Sequence, residues 1–291
     1  MEIKLVGIVG AGQMGCGIAT GFSAAGYEVK LMDVDQASLS RGVANISQDL
    51  DRQLQRGKIS QNSRDATLAR IYTTTELADV GDTDLVVEAA TECESVKQKI
   101  FAELAPHLKP ETIVTSNTSS LSITKLAGRS GRPELFMGLH FMNPVRVMQL
   151  VELIRGIATT RETFETVRVV VESLGKTPVV SEDYPAFIVN RILIPMLNEA
   201  IYTLYEGVGT VADIDKGMKL GANHPMGPLE LADFIGLDTC LAIMNVMHDG
   251  FADQKYRPCP LLVKYVEAGW LGRKAGKGFY DYSGSVPVPT R

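Results

Sequence analysis

Leu5-Val6-Gly7-Ile8-Val9-Gly10-Ala11-Gly12-Gln13-Met14-Gly15 is the stretch that decides the fold. An apolar run with strand character leads straight into a G-x-G-x-x-G loop. A helical stretch follows to Gly26, and a second apolar run, 29–32, ends at Asp33. Each part has a physical task. Gly10 permits the tight turn out of the strand, Gly12 lets backbone approach a pyrophosphate with no Cβ in the way, and Gly15 lets the helix pack closely on the strand. Free N–H groups at the helix start, around Gln13 and Met14, then face phosphate oxygens. Asp33, eighteen residues after Gly15, sits where a carboxylate accepts hydrogen bonds from a ribose diol. Glycine-rich turns are common, and a purely structural βαβ turn is the alternative. Strand, loop, helix, strand and acid in register read as a dinucleotide site.

The rest of the composition fits an ordinary globular protein. The chain has 291 residues, 45% of them hydrophobic and 22% charged, enough for a sizeable core and long enough for two domains. A net charge of −5 argues against general nucleic-acid binding, though not against a local basic patch. Cys16, Cys93, Cys240 and Cys259 form no C-x-x-C, so neither a metal site nor a disulfide framework is expected. Cys16, beside the third glycine, reads as a small packing residue. No apolar run reaches the roughly twenty residues that span a membrane, and the start of the chain reads as a strand rather than a signal peptide. A cytoplasmic protein with no membrane partner is the expectation.

The first half alternates strand and helix signals. Strands are predicted at 5–9, 29–32, 71–73, 85–88, 113–116, 135–141, 149–154 and 178–180. Helices are predicted at 95–108, 123–126 and 160–174, with a long polar segment of helical periodicity over 36–70. Repeated β-then-α order indicates an α/β fold with a Rossmann-type, doubly wound, mostly parallel sheet, with antiparallel pairing at one edge among the closely spaced last strands. After Pro185 the signals become helical: 186–207 with Pro195 inside, 211–220, 228–248 and 260–267. The expectation is therefore an N-terminal dinucleotide-binding domain over 1–184 and an all-α C-terminal domain over 185–291. The long apolar helices of the latter suit a homodimer face as well as simple packing. The tail, 283–291, reads as loosely ordered.

Ligands of such sheets lie at the carboxyl ends of the strands, and that rule selects the remaining candidates. Ser116-Asn117-Thr118-Ser119-Ser120 ends one strand, and His140 and Asn143 follow the next. Histidine moves protons near neutral pH. Glu152 interrupts the apolar run Leu150-Val151-Glu152-Leu153-Ile154, where a buried carboxylate needs a partner. His140 and Glu152 are equally distant from Arg146, so a hairpin between them would set the two side by side, the carboxylate fixing the imidazole tautomer. Each of these residues also has a structural reading, as a helix cap, a hydrogen-bonded core histidine or a sheet-edge glutamate. Asn190 and Arg191 form a polar pair in an apolar helix, suited either to the domain cleft or to a bond between domains.

These motifs together resemble the L-3-hydroxyacyl-CoA dehydrogenases, and within them the short bacterial 3-hydroxybutyryl-CoA group. The resemblance runs through Gly10–Gly15, Val87-Glu88-Ala89-Ala90, Ser116–Ser120, Gly138–Pro144, Val151-Glu152, Pro185–Arg191, His224–Pro228 and Gly278-Phe279-Tyr280. It implies that His140 is the general base that removes the 3-hydroxyl proton as hydride leaves C3, with Glu152 orienting it. It implies that Ser119 and Asn190 hydrogen-bond the substrate oxygens. Asn143, Glu92, Lys97 and Lys274 correspond to cofactor contacts, Glu92 and Lys97 near the nicotinamide ribose. Arg52, Arg56 and Lys58 align with contacts to coenzyme A, though the segment also reads as a solvated helical face. The resemblance implies an acyl-CoA substrate, in butyrate or butanol formation or in fatty-acid metabolism. Asp33 favours NAD over NADP because it repels a 2′-phosphate, and Arg41 is the nearest downstream arginine. A dehydrogenase of a free hydroxy or sugar acid and a non-catalytic dinucleotide-binding protein are the rival readings.

Overall fold

The structure, a computed structural model, describes residues 2–291. The chain divides into two compact units between Tyr184 and Pro185. The first unit is built in the order β1 (Leu5–Val9), α1 (Gln13–Ala24), β2 (Glu28–Met32), α2 (Gln36–Gln55), α3 (Gln61–Ala69), β3 (Ile71–Thr74), β4 (Leu85–Glu88), α4 (Glu94–Leu104), β5 (Ile113–Ser116), α5 (Ile123–Arg129), β6 (Phe136–Phe141), β7 (Leu150–Arg155), α6 (Arg161–Ser173) and β8 (Thr177–Glu182). One sheet of eight strands results, in the order β3-β2-β1-β4-β5-β6-β7-β8. Order reverses beside β1, which makes the sheet doubly wound. Six strands run one way, and β7 and β8 run against them, because β6 and β7 pair antiparallel while β7 and β8 pair parallel. The middle strands are buried along their whole length, which is why they read as unbroken apolar runs such as Leu85-Val86-Val87. Val6, Ile8, Leu31, Leu85, Val87, Leu139 and Leu153 lie at the centre of the core, with Ile18 and Phe22 of α1 and Val167 and Val171 of α6 packed on it.

The second unit is helical: α7 (Val189–Tyr205), α8 (Val211–Gly221), α9 (Pro228–Ile235), α10 (Leu237–Phe251) and α11 (Pro260–Glu267), closed by a small pairing of β9 (Tyr280–Asp281) with β10 (Val288–Pro289). Its own core gathers Leu197, Ile201, Leu229, Leu237, Met244, Met247, Leu262 and Phe279. No helix among the described residues is long and apolar enough to cross a membrane.

Several expected elements are cut differently. The 36–70 segment is two helices, because Gly57 takes φ +65° and turns the chain between α2 and α3. The 228–248 segment is likewise two helices, parted at Gly236 with φ +105°. Helix α7 begins at Val189 rather than 186, since Ala186 and Phe187 hold φ of 65° and 53°, outside helical conformation; it runs on through Pro195. The tail is tied down: β10 pairs with β9, and Thr290 Oγ1 donates to the carbonyls of Gly278 and Phe279 at 2.8 and 3.0 Å.

Candidate functional site

The glycine loop joins β1 to α1. Gly12 stands at the start of α1 with no side chain capping the helix, and a Cβ there would meet nothing within 4 Å. A Cβ on Gly15 would lie 1.8 Å from the Gly10 carbonyl oxygen, so only glycine lets the helix approach the strand this closely. Asp33 follows β2, where its Oδ2 accepts the Ala11 N–H at 2.8 Å and its Oδ1 that of Asp35 at 3.1 Å. Gln13 Nε2 donates to Asn143 Oδ1 at 3.2 Å. Gly12, Gln13, Asp33, Arg41, Arg52 and Asn143 all line one cavity of about 590 Å³. The open space at Gly12, the uncapped helix start and a carboxylate at the end of β2 fit a pyrophosphate and a ribose diol. Met14 instead packs against the core, so its share in the loop is its backbone. Arg41 donates to Ser38 Oγ at 2.9 Å and lies 3.5 Å from Asp35, not on Asp33. Cys16 is buried, its Sγ donating to the Ala11 carbonyl at 3.1 Å; burial, helped by the nearby Asp33 charge, pushes the thiol up to about 11. That is the chemistry of a packing residue.

His140 and Glu152 lie directly opposite each other on β6 and β7, and His140 Nδ1 is 2.7 Å from Glu152 Oε2. Residues paired this way share a face of the sheet. The Glu152 side chain is 0% exposed and that of His140 9%. The loop after β5 is held from two sides. Glu92 Oε1 accepts Thr118 Oγ1 at 2.6 Å, Ser119 N at 2.8 Å and Ser119 Oγ at 3.1 Å. Asn117 Oδ1 accepts the N–H of Phe141 at 2.9 Å, which pins the loop to the residue following His140. Lys97 is fully buried in α4, where its ammonium bonds both oxygens of Glu88 at 2.7 and 2.8 Å and stands 3.7 Å from Glu92. The Glu88, Ser116 and Asn117 contacts were not anticipated from sequence. An acid closing an apolar strand, with lysine nine residues on, is the one signal that marks the first of them.

The remaining candidates sit on other elements. Arg52 sits on α2 and bonds the Gln48 carbonyl and side chain, while Arg56 and Lys58 stand exposed at the turn after it. Asn190 is the second residue of α7 and Lys274 pairs with Asp238 at 2.6 Å, both within the second unit. Among the described residues no group of three or more His, Cys, Asp or Glu is placed to hold a metal.

A doubly wound sheet with a glycine loop and a closing acid defines a dinucleotide-binding fold. Comparison with known proteins narrows the class. Residues 5–184 match the 3-hydroxyacyl-CoA dehydrogenase NAD binding domain and residues 187–282 the 3-hydroxyacyl-CoA dehydrogenase C-terminal domain. The chain belongs to the 3-hydroxyacyl-CoA dehydrogenase family. It is 63% identical over 289 residues to a 3-hydroxybutyryl-CoA dehydrogenase of Bradyrhizobium diazoefficiens, covering 99% of both chains. It is 42% identical to the human mitochondrial hydroxyacyl-coenzyme A dehydrogenase, covering 96% of this chain and 91% of that one. The crystal structure of (S)-3-hydroxybutyryl-CoA dehydrogenase from Ralstonia eutropha superimposes with a TM-score of 0.95 at 48% identity, covering 97% of this chain and all of that one.

Proposed function

We propose that the protein interconverts (S)-3-hydroxybutyryl-CoA and acetoacetyl-CoA with NAD(H). The observation that carries this is the buried imidazole–carboxylate pair, Nδ1 to Oε2 at 2.7 Å, in a chain whose relatives bear that activity in their names. The hydride chemistry at C3 would be supplied by NAD(H) held at the glycine loop. Glu152 accepts the Nδ1 proton and so fixes the tautomer, leaving Nε2 to exchange the proton of the 3-hydroxyl. The carboxylate also stabilises the imidazolium that forms on oxidation. Ser119 and Asn190 hydrogen-bond the substrate oxygens. The Gly10–Gly15 loop, Asn143, Glu92 and Lys274 would hold the cofactor, with Lys97, which has no exposed surface, bearing on it through Glu92. Arg52, Arg56 and Lys58 attract the phosphates of coenzyme A.

Following NADH absorbance on addition of acetoacetyl-CoA tests the reading. Rapid oxidation is expected, with far slower oxidation on free acetoacetate. Silence with the thioester, or equal rates without coenzyme A, would overturn it in favour of a free-acid dehydrogenase. Asp33 supports NAD over NADP: its carboxylate is fixed by two backbone N–H groups and would face a 2′-phosphate as a like charge. NADH is expected to outperform NADPH by at least about tenfold in kcat/KM, since like-charge contacts cost several kcal/mol. We also infer a homodimer through the second unit, supported by exposed Ile192, Tyr205 and Val208 on and beside α7. Analytical ultracentrifugation tests it, and a monomer at micromolar concentration would refute it.

A further inference from the structure

Glu88 closes β4, and Ser116 closes its neighbour β5 directly opposite. Neither has any exposed surface, and neither does Lys97, which reaches them from α4. Glu88 Oε1 accepts the Ala90 N–H and the Lys97 ammonium, both at 2.7 Å; Oε2 accepts the ammonium at 2.8 Å and Ser116 Oγ at 2.6 Å. A dry ion pair is a poor device for stability alone, because well-packed apolar residues in its place are often as stable or more so. Its location suggests another use. It lies at the carboxyl ends of two adjacent parallel strands, where such sheets place their ligands. An ammonium carries three protons, and the Glu88 oxygens take two. Glu92 Oε2 stands 3.7 Å from the same ammonium, within ion-pair range, and unlike Lys97 its side chain is partly exposed. Glu92 is also the residue that gathers Ser119 and its loop.

We propose that Glu88 is a positioning residue of the dehydrogenase site: gripped by Ala90 and Ser116, its carboxylate holds the Lys97 ammonium in place, and that ammonium in turn steadies the more exposed Glu92, 3.7 Å away, to bond the ribose of the nicotinamide half of the cofactor. This rests on the reading of Glu92 as a cofactor contact. Glu88 acts only through Lys97, so its loss and the loss of Lys97 are the same loss.

The test is a double-mutant cycle with Glu88→Gln, Lys97→Met and the pair together, read by NADH fluorescence titration, thermal unfolding and the KM for acetoacetyl-CoA. Each variant is expected to weaken NADH binding by about 10–100-fold, the equivalent of one charge-assisted hydrogen bond, with no further loss in the double variant. The KM for the thioester should stay within about twofold in Glu88→Gln if binding of the cofactor is what the cluster serves. Additive losses, or wild-type NADH affinity in Glu88→Gln, would overturn the proposal. Should Glu88→Gln fail to fold, the double variant decides: NADH affinity equal to that of Lys97→Met supports it, and weaker affinity or renewed misfolding overturns it. NADH binding needs no acyl-CoA, so a wrong substrate assignment would show separately, as wild-type protein that binds NADH and does not oxidise it with acetoacetyl-CoA.

Discussion

His140 and Glu152 join an acid and an imidazole across two strands with almost no water at either side chain. If the imidazole carries the proton, replacing it with an amide removes that capacity while leaving a polar side chain beside Glu152. His140→Gln is therefore expected to lower kcat by about 10²–10⁴-fold, the usual worth of a general base, with NADH affinity changed by less than about twofold. Stopped-flow turnover with parallel fluorescence titration measures both, and near-normal kcat would remove His140 from the chemistry. Glu152→Gln should also slow turnover, since a side-chain amide can donate to Nδ1 and favour the wrong tautomer. This pair was legible because a carboxylate inside an apolar strand demands a partner and hairpin symmetry about Arg146 names one. Glu88 was not legible in the same way. It ends its strand, where an acid is unremarkable, and its partner arrives from a helix nine residues on.

At the scale of elements, the loop bearing Ser119 runs into α5, a helix of seven residues. So short a helix depends on its cap, because its own hydrogen bonds barely offset nucleation. Ser122 caps it locally, and Asp183, just past the end of β8, caps it from afar: its oxygens accept the N–H groups of Ile123 and Thr124 at 2.9 and 2.7 Å and the Ser122 hydroxyl at 2.9 Å. Asp183→Ala should cost about 0.5–2 kcal/mol, seen as a lower urea midpoint with an unchanged m-value. An unmoved midpoint would mean that Ser122 suffices. A cap sixty residues away in sequence leaves no local signature, and that is the general limit of reading elements from the chain. Strands such as β4 and β5 were legible from their apolar runs. The breaks at Gly57 and Gly236 were not, because apolar spacing carries on across a residue whose φ changes sign. The antiparallel turn from β6 to β7 was legible in outline from the close spacing of the two runs.

Over the whole molecule, each unit has a core of its own, and their buried acids respond to pH in opposite senses. In the first unit Asp84 is partly buried, which pushes its carboxyl up, but Lys109 at 2.6 Å and the N–H groups of Leu5 and Lys4 hold it below the ordinary value of 3.8. Its contribution is present above that value and is lost only as pH falls through the lowered folded one. In the second unit, burial pushes Asp215 and Asp233 above 3.8, and hydrogen bonds offset this only in part. Asp215 holds the start of α9 through Leu229 and Glu230 and takes the Tyr280 hydroxyl; Asp233 takes the N–H groups of Phe279 and Tyr280 and the Tyr282 hydroxyl. A raised folded pKa means that the folded state keeps its proton longer than the unfolded chain does. Stability from these two acids is then greatest below 3.8 and declines as pH rises through their folded values. Asp233→Asn removes that titration and turns an amide donor toward one of the donors that Asp233 accepts, so the variant should be less stable than wild type throughout. The gap in Tm between them should be widest near about pH 4 and narrow toward about pH 7, as the wild-type carboxylate ionises at a cost the amide never meets. Calorimetry of both proteins across that range measures the gap, and one that widens with rising pH would show that the hydrogen bonds to Asp233, not its burial, govern its ionisation.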